Sequence, residues 1–383
     1  VLNLILSNVR NRDEREADLR AQLAANDRAE RRFAELIAEH GRSRLEAGFD
    51  AVIEYSRRRI EERIRSFPDG TYSARDVLEG DGVTEEDVPI AVIVTIDGSE
   101  IEVDFEGTAD QVAGNMNAPL AVARSAVYFV VRCVTDPEIP PNQGTYRPVT
   151  VTAPPGTVVN PSPPAAVVGG NVETSQRITD VVLAAFGEAL PDAVPAGGQG
   201  TMNNLIVGNR SADGFTYYET IGGGFGARPT KDGVDGVHVG MTNTLNTPVE
   251  SVENEYPLRV ERYGLRPDSG GTGTYRGGLG LERSITVRTD AVVSLLTDRR
   301  RHPPAGRDGG DPGALGENLI DDEPVGAKTT VEVDAGTTVT VRTPGGGGYG
   351  DPALRDRDAI VEDYEDGKTT RRPEEGNDGT PPD

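Results

Sequence analysis

Residues 90–105, IAVIVTIDGSEIEVDF, decide how the chain is read. Two apolar-rich runs, Ile90–Ile96 and Ile101–Phe105, flank Asp97-Gly98, a dipeptide suited to the tight turns of β-hairpins. A hairpin here makes the middle of the chain a sheet. Just downstream, Ala118–Val134 is almost continuously apolar, as a buried helix is. Arg147–Ala153 reads as a strand. Thr174–Leu190 reads as a second helix, with Val181, Val182, Ala185 and Phe186 on one face. Beyond it come short strands parted by glycine: Met202–Val207, Phe215–Thr220, Leu258–Leu265, Leu281–Arg288, Val292–Leu296, Thr329–Val333 and Thr338–Val341.

Upstream of the hairpin the period is helical. Leu19, Leu23, Phe33, Leu36 and Ile37 fall on one stripe that Gly41 closes, and Phe49, Val52, Ile53, Ile60 and Ile64 form a second stripe between about Ser43 and Ser66. The texture changes at the Gly- and Asp-rich segment 67–82. From Arg371 the chain is polar and rich in Pro and Gly. The expected fold is therefore α+β, with a helical hairpin over residues 1–66 and a glycine-rich, mainly β body with two or more buried helices over 67–367. A disordered acidic tail is expected over 368–383.

Composition bounds the function. Acidic residues outnumber basic ones by 63 to 39, for a net charge of −24, which argues against a nucleic-acid-binding face. No run of 18 apolar residues exists to span a bilayer. One cysteine, Cys133, makes neither a disulfide framework nor a cysteine zinc site. Only Lys231, Lys328 and Lys368 are lysines, so 39 − 3 = 36 basic residues are arginine. High acid, scarce lysine and no tryptophan suit a halophilic, cytoplasmic protein whose self-repulsion is screened by molar salt; the alternative is an ordinary acidic protein of a GC-rich organism.

The familiar motifs fail on inspection. Gly367-Lys368-Thr369 ends like a phosphate loop, but Glu362 stands where its first glycine belongs. Gly222-x-Gly224-x-x-Ala227 is followed by Arg-Pro-Thr-Lys and not by an apolar helix. Asp268-Ser269-Gly270-Gly271 echoes the nucleophile loop of trypsin-like proteases, with His238 as the least ordinary of three histidines. Gly345–Asp351 suggests tight turns that need positive φ. What stands out instead are polar clusters within glycine-rich strings: Gly114–Pro119, Gly169–Arg177, Gly197–Asn204, His238–Glu250 and Arg266–Gly280. Their Asn, Gln and Thr side chains donate and accept, which suits a substrate with amide edges.

Those strings carry a resemblance. DFEGTADQVAGNMNAPLAVARSAVYFVVRC (Asp104–Cys133), PPAAVVGGNVETSQRITDVVLAAF (Pro163–Phe186), QGTMNN (Gln199–Asn204) and TNTLNTPVESVENEYPLRVERYGLRPDSGGTGTYRGGLGLER (Thr242–Arg283) resemble, in order, blocks of the hydantoinase B/5-oxoprolinase family. NVRNRDEREADLRAQLAAN near the start and TPGGGGYGDP near the end do so too. The similarity runs from about Leu4 to Gly367.

The resemblance implies a B-type subunit of an ATP-dependent hydrolase that opens five-membered cyclic amides, 5-oxoproline or hydantoins, through a phosphorylated carbonyl. The alternatives are a subunit of an ATP-dependent ketone carboxylase and a truncated, non-catalytic assembly subunit. MgATP is then bound by an A-type, actin-like ATPase partner in a heteromer, and this chain alone binds no cofactor. The family carries a region upstream of this chain's start, where the ketone carboxylases hold a metal; the chain is expected to be haloarchaeal and N-terminally truncated, with no metal ligands of its own. Within the matched blocks Glu173 is the expected base, with His238 beside it. Asn115, Asn117, Gly169, Gly170, Asn171, Thr174, Asn203, Asn204 and Asn243 are expected to bind substrate, Gly169 and Gly170 through their backbone N–H groups. Arg177, Glu250 and Arg266 are expected behind them or at an interface.

Overall fold

The computed structural model describes residues 1–9, 12–209 and 214–373. A short helix α1 (Leu2–Leu6) precedes two long ones, α2 (Arg12–His40) and α3 (Arg42–Ile64), which meet at a single residue, Gly41. Gly41 takes φ 79°, a left-handed turn that glycine makes without strain. Phe33 and Phe49 meet edge to face across the hairpin, ring centroids 6.1 Å apart. The packing then departs from expectation. α2 buries none of its residues, and the stripe predicted for it lies open, with Leu23 62% and Phe33 50% exposed. The C-terminal half of α3 docks, through the fully buried Ile60 and Ile64 and the close approach of Gly144 to the Ile53 carbonyl. Ser56 adds a polar tie: its hydroxyl donates to the Pro140 carbonyl and accepts from Asn142 Nδ2.

The body begins with an antiparallel run β1 (Gly70–Glu79), β2 (Asp87–Asp97) and β3 (Glu100–Asp104), to which β4 (Val149–Thr152) adds in parallel. The predicted hairpin is β2–β3. β1 escapes the apolar pattern because its sequence, GTYSARDVLE, alternates exposed Thr71, Ser73 and Arg75 with half-buried Tyr72, Ala74 and Asp76, which are not strongly apolar, and is deeply buried only at Leu78 and Glu79. Over this sheet lie α4 (Leu120–Val134) and α6 (Ser175–Ala189), the two predicted buried helices, with a short α5 (Gln143–Tyr146) between them in sequence. Val127, Val130, Val181, Phe186 and the inner side chains of β2 form one core.

A second core sits between two further sheets. One is β5 (Asn204–Gly208), β6 (Thr216–Thr220), β9 (Ala291–Leu296) and β12 (Lys328–Val333). The other is β7 (Leu258–Leu265), β8 (Leu281–Val287), β10 (Glu317–Ile320), β11 (Glu323–Pro324) and β13 (Thr338–Arg342). The small helix α7 (Val249–Glu255) adds Val252 to this core, and α8 (Arg357–Glu365) follows β13. The glycine strings join the parts. Gly278 N donates to the Phe225 carbonyl, Gly346 N to Gly278 and Gly347 N to Gly197. A Cβ at Gly224 would stand 2.0 Å from the Gly278 carbonyl, so close backbone approach is what that position requires. Within the string Gly345–Asp351, Gly345–Gly348 keep negative φ and serve close packing, while Gly350 takes the expected positive φ, 74°. No described helix is long and apolar enough to cross a membrane.

At the C-terminal end, Thr369 Oγ1, Thr370 Oγ1 and Thr370 N all donate to the Asp268 carboxylate. Residues 368–370, expected at the head of a disordered tail, are therefore held to the body. The rest of that expectation, from 374, lies outside the described residues.

Candidate functional site

The residues before α6 form one wide turn, Gly170–Thr174, hydrogen-bonded in the π pattern. Such turns push one extra residue out of helical register, and they recur at functional sites. Here the turn is pinned against the loop at 114–118. A Cβ at Gly170 would lie 2.0 Å from the Asn117 carbonyl, and Thr174 Oγ1 donates to the Met116 carbonyl. The result is a carboxylate aimed inward: Glu173 is 1% exposed.

Its two oxygens differ. Oε1 accepts from Met202 N at 3.0 Å and from Asn204 Nδ2 at 2.8 Å, while Oε2 is buried with no partner. Burial first, and then the negative charge of Asp298, push the Glu173 carboxyl up to about 7. Asn204 is fully engaged. Its Nδ2 also donates to the Leu296 carbonyl at 2.7 Å, and its Oδ1 accepts from the Tyr218 hydroxyl at 2.8 Å. Because Tyr218 supplies a donor, the amide is fixed with its nitrogen toward Glu173. The antiparallel pairing of β5 with β6 brings these two side chains together.

Tyr218 and Met202 also line a cavity of about 290 Å³, with Asn171, Thr220, Thr242 and Thr244. These hydroxyl and amide groups share the wall with Val172, Met241, Leu245 and Glu219, around a space that a small ring would fill. Glu173 does not line this cavity. It lies behind the wall, one hydrogen bond from Met202 and two from the Tyr218 hydroxyl.

Behind Glu173 runs a buried ionic network. Arg177, 0% exposed, pairs with Asp76 at 2.7 Å, Asp180 at 3.2 Å and Asp298 at 3.5 Å. Arg299 reaches the same Asp76 and Asp180 at 2.8 and 2.7 Å. Burial raises the Asp180 carboxyl to about 7 against the pull of Arg177. Arg177 is thus an interior ion-pair residue, wired to the sheet and not to an interface.

The other predicted residues divide sharply. Asn171 lines the cavity, and Asn204 and Thr174 sit within its frame. Asn117, expected to bind substrate, has its amide taken up within the fold: Oδ1 accepts from Val112 N, and Nδ2 donates to the carbonyls of Val112, Gly114 and Ala166, so the side chain staples its own loop. Thr174 is committed to Met116 in the same way. Gly170 N donates to the Val167 carbonyl and is no free oxyanion donor. Gly169 packs on Asn115, whose Oδ1 would lie 2.8 Å from a Cβ there. Asn203 holds Gln199 and Arg300. His238 has both ring nitrogens buried without partners, and burial lowers its pKa, so it carries no oriented proton. Asn243 and Glu250 are exposed. Arg266 donates to the carbonyls of Leu315 and Thr343, away from the cavity. Ser269 donates to the Arg266 carbonyl and accepts from Gly280 N, a loop clasp and not a nucleophile. Among the described residues no group of three or more His, Cys, Asp or Glu is placed to hold a metal ion.

Sequence reasoning missed Tyr218, Asp298 and the arginines at 299–300. Tyr218 sits in TYYET, an ordinary strand sequence; Asp298 opens the DRRR run that reads as a solvated loop.

The pattern of the hydantoinase B/oxoprolinase family matches residues 1–352. The chain is 42% identical over 349 residues to 5-oxoprolinase 1 of Arabidopsis thaliana, covering 87% of this chain and 27% of that protein. It is 32% identical over 372 residues to the putative B-type component of a D-/L-hydantoinase from a Pseudomonas species, covering 92% of this chain and 63% of the relative. It therefore spans less than two thirds of either relative's length. Its fold matches the crystal structure of the ATP-dependent caprolactamase from Pseudomonas jessenii with a TM-score of 0.86 at 28% identity, over 96% of this chain and 67% of that one.

Proposed function

The chain belongs to the hydantoinase B/oxoprolinase family, and from that premise we propose that it is the B-type part of an ATP-dependent hydrolase that opens a five-membered cyclic amide, 5-oxoproline or a hydantoin. The observation that carries this reading is Glu173: one oxygen locked by Met202 and Asn204, the other free, and a carboxyl near pH 7 beside a small cavity lined by amide and hydroxyl groups.

An unstrained lactam carbonyl is a poor electrophile. ATP, held by an A-type ATPase partner, supplies a phosphoryl group to the carbonyl oxygen. The cavity then holds the activated ring, with Asn171 and the hydroxyls of Tyr218, Thr242 and Thr244 on its polar edge. For Glu173 to act, the wall at Met202 must admit one water between the cavity and its Oε2, which is fully covered in this structure. That water adds to the activated carbon while its proton passes to the free Oε2. As the ring C–N bond breaks, the same carboxyl returns that proton to the leaving nitrogen. The acyl phosphate left behind is hydrolysed to carboxylate and phosphate. A group with a pKa of about 7 can do both jobs at neutral pH, because it takes and gives its proton at little cost.

The test is a substrate panel with the chain and its A-type partner purified from the same host. ATP-dependent ring opening of 5-oxoproline or a hydantoin is the expected result. Turnover of a ketone with bicarbonate and none of the cyclic amides would overturn it.

A further inference from the structure

The stretch of chain that carries Glu173 reaches the cavity beside it at a second point. Gln176 lies in the first turn of α6 and is fully buried. Its Nε2 donates to the Val239 carbonyl at 3.1 Å, and its Oε1 accepts from Met241 N at 3.3 Å. A carbonyl on one side and an N–H on the other fix which way the amide points. Gly240, between those two residues, takes φ 59°, and a Cβ there would stand 2.1 Å from Gln176 Oε1. Only glycine lets the loop pass this close in this conformation.

Met202 and Met241 both line the candidate cavity. Met202 N donates to Glu173 Oε1, and Met241 N donates to Gln176 Oε1. The segment Glu173–Gln176 therefore fixes two parts of the cavity wall through two of its side chains. Beyond Met241 the wall continues through Thr242, Thr244 and Leu245 without helix or strand, and Leu245 is 92% exposed. The next ties to the body come at Asn246, which donates to the Tyr263 hydroxyl, and at Thr247 N, which donates to Glu219 Oε1 at 3.2 Å. Among the described residues, 242–245 make no hydrogen bond outside their own loop. The Gln176 amide is what sets where this wall begins.

We propose that Gln176 is a positioning residue that sets the size of the cavity, and through it the ring size the chain accepts. It holds Met241 in the same frame in which Glu173 holds Met202. The proposal rests on the ring-opening reading above. A ring one methylene larger has to displace Met241, and the buried amide resists that. One methylene in a fitted pocket is worth about 10–200-fold in kcat/KM.

Gln176→Met keeps the length of the side chain and removes both hydrogen bonds. With the A-type partner and ATP, the ratio of kcat/KM for the five-membered substrate to that for its six-membered homologue should fall by about tenfold. Loss of folded enzyme alone lowers both rates by one factor and leaves the ratio where it was. Gly240→Ala presses on the same amide from the other side and should move the ratio the same way; it stands in if Gln176→Met does not fold. Hydrogen exchange of the full chain reads the clamp without any substrate. Amides over 239–245 should exchange faster in Gln176→Met, and those over 170–175 at the native rate. An unchanged ratio in a folded variant would overturn the proposal. If the native chain opens neither ring, the ring-opening reading falls, and the exchange decides the clamp by itself: unaltered exchange over 239–245 overturns it.

Discussion

At the scale of single residues, the site is a matter of which hydrogen-bonding capacity is left over. Glu173 has Oε1 held by Asn204, whose amide is oriented by the Tyr218 hydroxyl and the Leu296 carbonyl, while Oε2 has no hydrogen-bond partner. Its raised pKa has a stability consequence. Between the ordinary glutamate value of 4.5 and about 7 the folded state holds a proton that the unfolded state has released, so stability falls as pH rises through that window. Glu173→Gln cannot ionise and should flatten this fall, gaining on the native chain by up to about 3 kcal/mol between pH 5 and pH 8. Denaturant melts at both pH values check it; a difference that stays constant with pH would contradict the shift. Tyr218→Phe removes the donor that fixes Asn204 and should lower ring-opening kcat, at a stability cost of about 1–3 kcal/mol for the buried Asn204 Oδ1 it strands. Asn117→Ala should cost roughly 3 kcal/mol through the buried backbone groups it strands and leave kcat nearly unchanged. The sequence points to Glu173, Asn171 and Asn204, because their blocks stand out. It misleads at Asn117, since an asparagine that staples a loop and one that binds a ligand look alike until their partners are seen.

At the scale of elements, apolar period is a good guide to what a segment is and a poor guide to what it touches. Leu258–Leu265 is legible to the residue, and the buried helices α4 and α6 to within two. The hairpin α2–α3 shows the limit. Its stripe has the spacing of a core-facing helix, yet α2 buries nothing. Leu23→Ser should therefore change stability by no more than about 0.5 kcal/mol, whereas Ile60→Ala in α3 should cost about 2–5 kcal/mol. Thermal melts of the two variants separate these expectations. The π turn at Gly170–Thr174 is invisible in the sequence because no spacing encodes it; it follows from the contact with the loop at 114–118, a tertiary effect.

At the scale of the molecule, charge and glycine set the terms. A net charge of −24 gives repulsion that ordinary salt screens only over about 10 Å and molar salt over about 3 Å. The melting temperature should rise steadily from dilute buffer to molar KCl; a flat response would show that the ion pairs already balance the surface. The glycine strings are legible as unusual but not as packing, since the close approach of strings 225–227, 277–280 and 345–348 links segments far apart in the chain.

Glu173 as the proton carrier of ring opening is tested by the ATP-dependent ring-opening rate of Glu173→Gln against the native chain. Both are assayed with the A-type partner, at saturating substrate. A fall of about 10²–10⁴-fold is expected, with partner binding intact. A variant that opens the ring at the native rate would contradict it.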